Sequence, residues 1–317
     1  MFIKFPEIDN HYQSKTVDQF LSEFPELKDT LFILKEKLHG TNIQLIFEPN
    51  KPMEVGSRNR VIPIGESFFG IRDFLYNDIH MQELMLHMQK YSDKSDSLVN
   101  LYGEFIGPGI NKGVDYGDKK HLLFFNMRLD KHMLSDKGME CFFGDRGLLY
   151  LLCPTVDMVT GLRKAIEYDV VLKSCIYPIA EGDNIMEGVV IKPYYEYYIN
   201  SGGHTVYLKK KNEKFIEKMK RKKRVKSQKD PISQELLDLH DEFRSYLTPM
   251  RIQGIFSKYG EMKENKQLGE YIKYMLKDAK KDFLKDNSGY MESLDKKETQ
   301  YVYNHAKWIV KMLQEAL

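Results

Sequence analysis

A lysine near the start of the chain lies where its amine could serve as a nucleophile. Two apolar, β-prone runs at residues 31–36 and 43–47 predict a pair of strands, and the polar turn Lys37–Asn42 joins them. A lysine attacks only through its neutral amine, which burial and neighbouring cations favour. The same pattern fits an ordinary lysine at the end of an edge strand, so the rest of the chain has to decide between the two interpretations.

Charged side chains recur in two later strand patterns. Glu104 lies in an apolar run that ends in a Gly-Pro-Gly bend, where a carboxylate needs either a partner or a function. Glu187 and Lys192 bracket a β-branched run, and because they are five residues apart, strict alternation puts them on opposite faces of a strand. Both can reach one site only if the strand bulges or if one residue lies beyond its end.

Further cations and an aromatic residue stand in similar positions. Lys209 and Lys211 share one face of another predicted strand. Arg58 and Arg60 follow a glycine bend and form either a solvated loop or an anion clamp, since the arginine fork suits phosphate. Phe125 lies in a strongly apolar run, where a ring either belongs to the core or stacks on a nucleic-acid base.

The elements that would position these residues fall into two groups. A mixed region comes first: besides the strands, it has helical patterns at residues 17–29 and 71–91, the latter broken near Asp78, and residues 146–180 alternate between strand and helix. A basic run at residues 218–229 is interpreted as a linker. Beyond it the pattern predicts only helices, at residues 231–247, 249–259, 267–286 and 293–316.

The sequence therefore predicts two domains, residues 1–228 and residues 229–317. Asp230 suits the N-cap of the first helix of the second domain, and Pro231 suits its first helical position. In the last predicted helix, a single apolar stripe is typical of packing rather than chemistry; it consists of Val302, Ala306, Ile309 and Leu313.

Composition excludes several classes of protein. The chain has 317 residues, enough for two domains, and a formal net charge of only +2, so nucleic-acid binding would rely on local patches. Cys141, Cys153 and Cys175 are widely spaced, which argues against a zinc site and a disulfide framework. We find neither a signal-peptide pattern nor an apolar run of ~20 residues, and we expect a soluble, cytoplasmic protein without a membrane partner.

The order of these motifs resembles the covalent nucleotidyltransferase superfamily, which contains DNA ligases, RNA ligases and messenger-RNA capping enzymes. The details resemble the RNA ligase 2 type, with His39 where DNA ligases commonly carry Asp, and with a helical tail similar to the C-terminal domain of the phage members. Five segments carry this resemblance: Glu36–Asn42, Gly103–Gly109, Lys209–Phe215, Leu247–Arg251 and Ile255–Glu261. It covers nearly the whole chain and implies an α+β fold, in which a nucleotidyltransferase domain of antiparallel sheets flanked by helices precedes a small all-α domain that would bind RNA.

The resemblance implies an ATP-dependent RNA ligase that uses Mg²⁺ or Mn²⁺. Lys37 would attack the α-phosphorus of ATP, AMP would pass to an RNA 5′-phosphate, and an RNA 3′-hydroxyl would then seal the strand and release AMP. The implied substrate is a nick in duplex RNA or an RNA:DNA hybrid with an RNA 3′-hydroxyl end. The implied setting is RNA repair by a monomeric phage enzyme in the host cytoplasm.

The resemblance also assigns roles to individual residues. Lys37 is the nucleophile, and Lys192, Lys209 and Lys211 would supply positive charge around it and around the transferred phosphoryl group. Glu187 would hold the hydrated metal ion near the nucleotide. The other predicted nucleotide contacts are Glu104 on a ribose hydroxyl, Phe125 on the adenine ring, and Glu36, His39, Thr41, Asn42 and Arg58, with Arg60 as the alternative arginine.

One position departs from the family pattern. Phe125 is followed by Asn126, where phage relatives carry Asp. Asparagine forms hydrogen bonds but has no charge, so we assign it no metal and leave open which acid, if any, pairs with a site lysine.

Three alternative functions share parts of this pattern. A capping-type guanylyltransferase would usually carry an OB-fold after the catalytic domain, whereas this chain predicts helices. A DNA ligase shares all three chemical steps, but His39 and the helical tail argue against it. A catalytically silent RNA-binding module is the third alternative, and the complete set of lysines argues against that.

Overall fold

The computed structural model describes residues 1–178, 184–216 and 233–316, with the backbone alone for residues 288–290. The chain divides into two compact units, Met1–Lys214 and Phe215–Leu317. The predicted linker, Asp230 and Pro231 lie outside the described residues, and the predicted domain boundary between residues 228 and 229 therefore stays a prediction.

The first unit contains two five-stranded sheets. Numbered along the chain but given in spatial order, the first sheet consists of β1 (Asp9–Asn10), β10 (Leu208–Lys211), β9 (Gly188–Pro193), β2 (Leu31–Glu36) and β8 (Thr155–Thr160). The second sheet consists of β4 (Glu54–Ser57), β3 (Thr41–Phe47), β5 (Val99–Ile106), β6 (His121–Leu129) and β7 (His132–Met133). Every pairing is antiparallel except that of β1 with β10.

Helices flank both sheets of the first unit: α1 (Ser14–Glu23), α2 (Ile71–Asn77), α3 (Ile79–Ser95), α4 (Asp136–Gly144) and α5 (Leu162–Glu167). Single 3₁₀ turns lie at Pro25–Lys28, Leu149–Leu151 and Glu213–Phe215. The apolar faces of α1 and α5 share a buried cluster with the first sheet, and those of α2, α3 and α4 share another with the second. Each sheet therefore has its own core, and the predicted α+β class is confirmed.

Two helix predictions have different outcomes. The break near Asp78 is confirmed, because its carboxylate caps α3 by accepting the backbone N–H groups of His80 and Met81 at 3.0 Å each. The predicted helix at residues 17–29 is wrong at both ends. It begins earlier, and Pro25, which has no N–H to donate, starts a separate 3₁₀ turn.

The second unit is helical throughout its described residues. Its helices are α6 (Gln234–Ser245), α7 (Pro249–Tyr259), α8 (Leu268–Met291), α9 (Lys296–Val302) and α10 (Ala306–Glu315), with a 3₁₀ turn at Asn265–Gln267. The prediction of one continuous last helix is wrong, since the backbone leaves helical geometry before His305. Of the predicted stripe, Val302, Ile309 and Leu313 are buried. Ala306, the first residue of α10, is exposed.

Candidate active site

Lys37 lies where the chain crosses from the first sheet to the second. It directly follows β2, and its backbone N–H donates to the Gly188 carbonyl at 2.8 Å, while β3 begins in the other sheet at Thr41. Gly40 permits this crossing, because a Cβ atom there would lie 2.2 Å from the Phe105 carbonyl oxygen. The predicted strand, turn and strand are confirmed, but the two strands do not pair with each other.

Two lysines and a histidine surround the buried carboxylate of Glu187. The Nζ atoms of Lys37 and Lys211 lie 2.7 and 3.0 Å from the same oxygen, Oε1, and His39 Nδ1 lies 3.2 Å from Oε2. Burial by itself would raise the pKa of Glu187, but Lys37, Lys211 and His39 together hold it well below the usual range. Glu187 is therefore ionised at neutral pH, and the Lys37 side chain, still 23% exposed, rests in an ion pair with it.

Glu187 reaches this cluster because it lies just before β9 rather than within it. Gly188 follows with a φ of +152°, and a Cβ atom there would lie 2.0 Å from the Lys210 carbonyl oxygen, so the backbone needs glycine. Glu187 thus lies beyond the strand end, as one of the two arrangements left open by the sequence required, but Lys192 lies within the strand and does not contact this cluster.

His39 is held in place on three sides. Its backbone N–H donates to the Tyr116 hydroxyl at 2.7 Å, and its ring Nε2 lies 3.0 Å from the Lys112 carbonyl oxygen. Both ring partners, the Lys112 carbonyl and the Glu187 carboxylate, are acceptors, so both ring bonds form together only when both nitrogens carry protons. In that form His39 adds positive charge beside Glu187, which an aspartate could not do.

The lysines of β10 divide between its two faces as the sequence predicts. Register with β9 puts Lys209 and Lys211 on the face that carries Lys192. Lys210 points the other way and donates to two backbone carbonyls at the end of α5, at 2.8 and 2.7 Å. The alternation of a strand thus brings two of three consecutive lysines to the site face.

The side chain of Glu36 does not face this cluster. Its carboxylate accepts the Ser174 hydroxyl at 2.7 Å and the Cys175 backbone N–H at 2.8 Å. Glu36 precedes Lys37 in the chain, so the two side chains point to opposite faces of the sheet. These contacts give the predicted nucleotide contact of Glu36 no support, and it stays a prediction.

A bulge in β6 turns two consecutive side chains toward the same place. Pairing with β5 shifts so that Tyr102 is opposite Asn126 and Gly103 opposite Phe124, which leaves Phe125 as the extra residue. The partly buried Phe125 ring packs with Tyr102 and Tyr207, and the Asn126 amide donates to the Tyr207 hydroxyl at 3.3 Å. The bulge therefore lies in the aromatic strand and not in β9.

Lys192 is buried between the two sheets rather than beside Lys37 and Glu187. Its Nζ donates to the Phe125 carbonyl at 2.8 Å and to Asn126 Oδ1 at 3.0 Å, and it lies 2.7 Å from Asp136 Oδ2. Burial lowers the pKa of Lys192, and Asp136 opposes that shift. The sequence patterns missed Asp136, because an acid after Ser135 indicates only the start of a helix, which is where it lies.

The N-terminal segment, which sequence reasoning also missed, forms one wall of the site. The buried Phe5 ring lies 5.1 Å from the Phe125 ring, edge to face, and the Arg58 guanidinium lies 5.8 Å from the Phe5 centroid. Arg58 also donates to the Pro6 carbonyl at 3.2 Å, whereas Arg60 is paired through two bonds with Glu66 in its own loop. This favours Arg58 over Arg60 as the site arginine.

Glu104 and Asn42 face each other across β5 and β3. One Glu104 carboxylate oxygen accepts the Gly40 backbone N–H at 3.2 Å, which ties the strand to the turn after Lys37. Burial raises the pKa of Glu104 to about 7, against the opposing effect of Lys37. Thr41, between Gly40 and Asn42, is fully buried at the start of β3. These residues thus border the crossing that carries Lys37, while their predicted nucleotide contacts remain predictions.

Comparison with known sequences identifies the family. The family model described as RNA ligase matches residues 30–230, well over half of the chain. The chain belongs to the RNA ligase family. A second family model, T4 RNA ligase 2 C-terminal, matches residues 229–312 and covers the helices of the second unit. The predicted resemblance to the RNA ligase 2 type is confirmed.

Solved structures of an RNA ligase from Naegleria gruberi are similar to this RNA ligase family member. The complex with PPi has 16% sequence identity, a TM-score of 0.47, and coverage of 68% of this chain and 57% of that chain. An Arg-to-Ala variant with ATP and Mn has 14% identity with the same TM-score and coverage. A Lys-to-Met variant with AMP and Mn has 14% identity, a TM-score of 0.46 and the same coverage. The matched region thus spans 57% of those chains.

The described residues contain neither a cluster of metal-ligating side chains nor a membrane-spanning helix. Within residues 1–178, 184–216 and 233–316, no three His, Cys, Asp or Glu side chains group closely enough to form a metal site by themselves. Among the helices described, none has the length and apolar character to cross a membrane.

The raised pKa of Glu104 predicts that the parent protein and a Glu104→Gln variant differ in stability by an amount that depends on pH. Between its ordinary value of 4.5 and about 7, the native state holds a proton that the unfolded chain releases. The contribution of Glu104 to stability is therefore complete at low pH and is lost as the pH rises from 4.5 to above about 7. Because glutamine stays neutral, we expect Glu104→Gln to match the parent protein at pH 4.5 and to exceed its unfolding free energy by about 1–3 kcal/mol at pH 8. Thermal unfolding from pH 4.5 to 8 measures this, and a constant difference across that range would contradict it.

Proposed function

We propose that this chain is an ATP-dependent RNA ligase that seals 3′-hydroxyl/5′-phosphate nicks in duplex RNA or an RNA:DNA hybrid. The observation that carries the proposal is the ion-pair cluster of Lys37, Glu187 and Lys211 in a chain of the RNA ligase family. It joins one partly exposed lysine to a second cation and an ionised carboxylate, a combination that suits attack on a phosphate. The proposed setting is RNA repair by a monomer in the cytoplasm, in a phage-infected host.

The proposed reaction has three steps, each an exchange of one bond to phosphorus. Lys37 Nζ forms a bond to the α-phosphorus of ATP while the bond to the pyrophosphate oxygen breaks. An RNA 5′-phosphate oxygen then takes AMP from Lys37, which recovers its amine. Finally an RNA 3′-hydroxyl loses its proton and attacks that 5′-phosphorus, and AMP leaves with the oxygen that joined them.

Lys37 has to leave its ion pair before the first step. An ammonium group has no lone pair, and the Lys37 ammonium is 2.7 Å from the Glu187 carboxylate. A second cation at Glu187 would compete for that carboxylate and favour the neutral amine at Lys37. Lys211 already binds the same oxygen, and both Lys211 and Lys209 lie on the face where phosphate charge would develop.

Glu187 is the residue that we propose to hold the metal ion. Mg²⁺ commonly binds proteins through one or two carboxylates and keeps several waters, so one carboxylate suffices and a cluster of three is not needed. When bound, Mg²⁺ or Mn²⁺ would neutralise charge on the ATP phosphates.

The nucleotide would lie between the rings of Phe5 and Phe125 and the turn after Lys37, where the chain passes from the first sheet to the second. Phe125 offers a partly buried ring for the adenine, and Arg58 lies across Phe5 from that ring. Glu104 and Asn42 stand on the adjoining strands, where a carboxylate and an amide could bind ribose hydroxyls.

Three other functions make different predictions. A capping-type enzyme would form the covalent adduct with GTP rather than ATP. A DNA ligase would seal a nick whose 3′ end is DNA, and a silent RNA-binding module would form no adduct. The RNA ligase 2 type C-terminal match at residues 229–312 favours RNA ligase over the first two.

A nick-sealing assay tests the proposal. The protein is incubated with Mg²⁺, ATP and two duplexes that differ only in whether the 3′-hydroxyl side of the nick is RNA or DNA. We expect sealing of the RNA-ended nick alone. Equal sealing of both would replace RNA ligase with DNA ligase, and failure to form an adduct with labelled ATP or GTP would remove the enzyme interpretation altogether.

Truncation after residue 230 separates the two parts of the proposed reaction. Every residue of the Lys37 cluster lies in the unit Met1–Lys214, so we expect the truncated chain to keep forming the covalent adenylate. Because the helical unit is proposed to bind the nick, its loss should weaken nick binding by about tenfold or more. Gel-shift titration at fixed salt measures this, with adduct formation as the control; unchanged nick affinity would contradict it.

A further inference from the structure

The counter-charge of Lys192 comes from outside the motifs that identify the family. Lys192 and Asp136 are 2% and 3% exposed, and the ammonium nitrogen lies 2.7 Å from Asp136 Oδ2. Asn126, on the aromatic strand, also contacts this nitrogen at 3.0 Å, but its amide carries no charge. A buried ammonium is strongly unfavourable without an ionised partner. Asp136 therefore supplies the negative charge that Asn126 does not have.

The described contacts of Lys192 are all with oxygens of the protein itself. Its ammonium group donates hydrogen bonds to the Phe125 carbonyl and to Asn126 Oδ1, and Asp136 Oδ2 lies 2.7 Å away as its ion-pair partner. The first two belong to β6 of the second sheet, whereas Lys192 belongs to β9 of the first. In this arrangement Lys192 joins the two sheets at the bulge that presents the Phe125 ring.

A second buried lysine, Lys35, also lies near Asp136, but it has another carboxylate beside it. Lys35 Nζ lies 4.0 Å from Asp136 Oδ1 and 3.9 Å from Glu140 Oε1, and it donates to the Thr155 hydroxyl at 3.0 Å. Glu140 is partly exposed and also accepts the Tyr194 hydroxyl. Without Asp136, Lys35 would still have Glu140, but the described contacts of Lys192 would all be neutral.

We propose that Asp136 is a positioning residue for the nucleotide site, acting through Lys192 on the Phe125 carbonyl and hence on the ring predicted to stack on adenine. This inference rests on the proposed function. It gives Lys192 a role different from the predicted one beside the phosphates, and it assigns a role to a residue of α4 that the family pattern did not indicate. It also predicts that the negative charge beside Lys192 can come from either residue: an aspartate at position 126 should compensate for the loss of the aspartate at position 136.

Three variants test the proposal on the full chain. Asp136→Asn removes the charge, and the double variant Asn126→Asp/Asp136→Asn moves it to the other side chain that touches Lys192, at unchanged composition and net charge. Glu140→Gln is the matched control, because it removes a carboxylate of the same helix that contacts Lys35 but not Lys192. KM for ATP and kcat of adenylate formation are measured for each variant, together with thermal unfolding.

We expect Asp136→Asn to raise KM for ATP about tenfold or more, with a smaller change in kcat, since a misplaced ring weakens ATP binding rather than the attack of Lys37. The double variant Asn126→Asp/Asp136→Asn, the charge-moved variant, should return KM for ATP to within about threefold of the parent protein. Glu140→Gln should leave KM for ATP unchanged. A purely structural ion pair would change thermal unfolding without this recovery of KM.

The outcomes separate the two proposals. Adduct formation by the parent protein is measured first, and its absence would overturn the proposed function and this inference with it. If the adduct forms, a parent-like KM for Asp136→Asn, or a charge-moved variant no better than Asp136→Asn, overturns the inference alone. If Asp136→Asn does not fold, the charge-moved variant decides, because the inference requires that it fold and bind ATP with near-parent KM.

Discussion

Replacing Lys37 with alanine or arginine is expected to abolish the covalent nucleotide on the protein. Alanine removes the amine. Arginine keeps the positive charge beside Glu187, but its guanidinium does not deprotonate and cannot attack phosphorus. We expect adenylate formation to fall by more than about a thousandfold in both variants. The measurement is label retained on the denatured polypeptide after incubation with Mg²⁺ and α-labelled ATP.

Two comparisons separate the loss of the nucleophile from a loss of structure. Lys37→Arg should unfold at nearly the parent temperature, because Glu187 keeps a cation at position 37 and its contacts with Lys211 and His39. Lys211→Ala is the matched control for charge, since Lys211 Nζ contacts the same carboxylate oxygen. Label that survives Lys37→Ala and disappears with Lys211→Ala would show that the assignment of the nucleophile is wrong.

The second large effect is expected in the helical unit, where Arg251→Ala should lower the free energy of unfolding by about 3–5 kcal/mol. Arg251 is 1% exposed, and its guanidinium donates to the Tyr246 carbonyl at 2.7 Å, to Asp282 at 2.8 Å and to Asp278. Removing the arginine takes away the buried cation that Asp278 and Asp282 share and the donor to the Tyr246 carbonyl. Denaturant unfolding followed by circular dichroism measures the loss.

Lys258→Ala is the matched control for the Arg251 prediction. Lys258 also pairs with Asp278, but its side chain is 33% exposed, so its removal should cost less than about 1 kcal/mol. Adenylate formation should survive Arg251→Ala, because the Lys37 cluster lies within the other unit. If Arg251→Ala costs no more than Lys258→Ala, the buried arginine does not hold the helices together.

Elements with a strong local signal were predicted well. The runs that became β2, β3, β5 and β6 were recognised from their apolar, β-branched and aromatic residues, and α7 was predicted with the bounds that it has, Pro249–Tyr259. Helix α7 begins at a proline after Thr248, whose side chain accepts the Arg251 backbone N–H at 3.2 Å. Such signals depend on only a few neighbouring residues, so they can be recognised without knowledge of the fold.

Helix ends and breaks without a local signal were predicted poorly. No proline or glycine interrupts residues 293–316, and the predicted single helix ignored the break before α10. There the buried His305 ring bonds to the His240 carbonyl at 3.1 Å, a contact with a residue of α6 far away in the sequence. A long-range contact of this kind leaves no periodic pattern in the segment that contains it.

The candidate site was predicted as a set of residues but not as an arrangement. Residue type and order identified Lys37, Glu187 and Lys211, and the fold brings the Nζ atoms of both lysines to 2.7 and 3.0 Å from Glu187 Oε1. The same reasoning put Lys192 with them, whereas its contacts place it between the sheets, on Asp136. It also missed Phe5, because an N-terminal segment of a few apolar residues has no pattern that indicates where it packs.

The sequence by itself determined the strands and helices with local signals, the chemical groups available to the site, and the family to which they belong. Only the tertiary structure decided which charges meet. Lys37 and Glu187 are 150 residues apart, and their contact depends on a chain that changes sheets at Gly40 and on a strand that starts one residue after Glu187. A strand pattern specifies which side chains share a face, but register, bulges and sheet order set their partners, and those depend on packing across the whole unit.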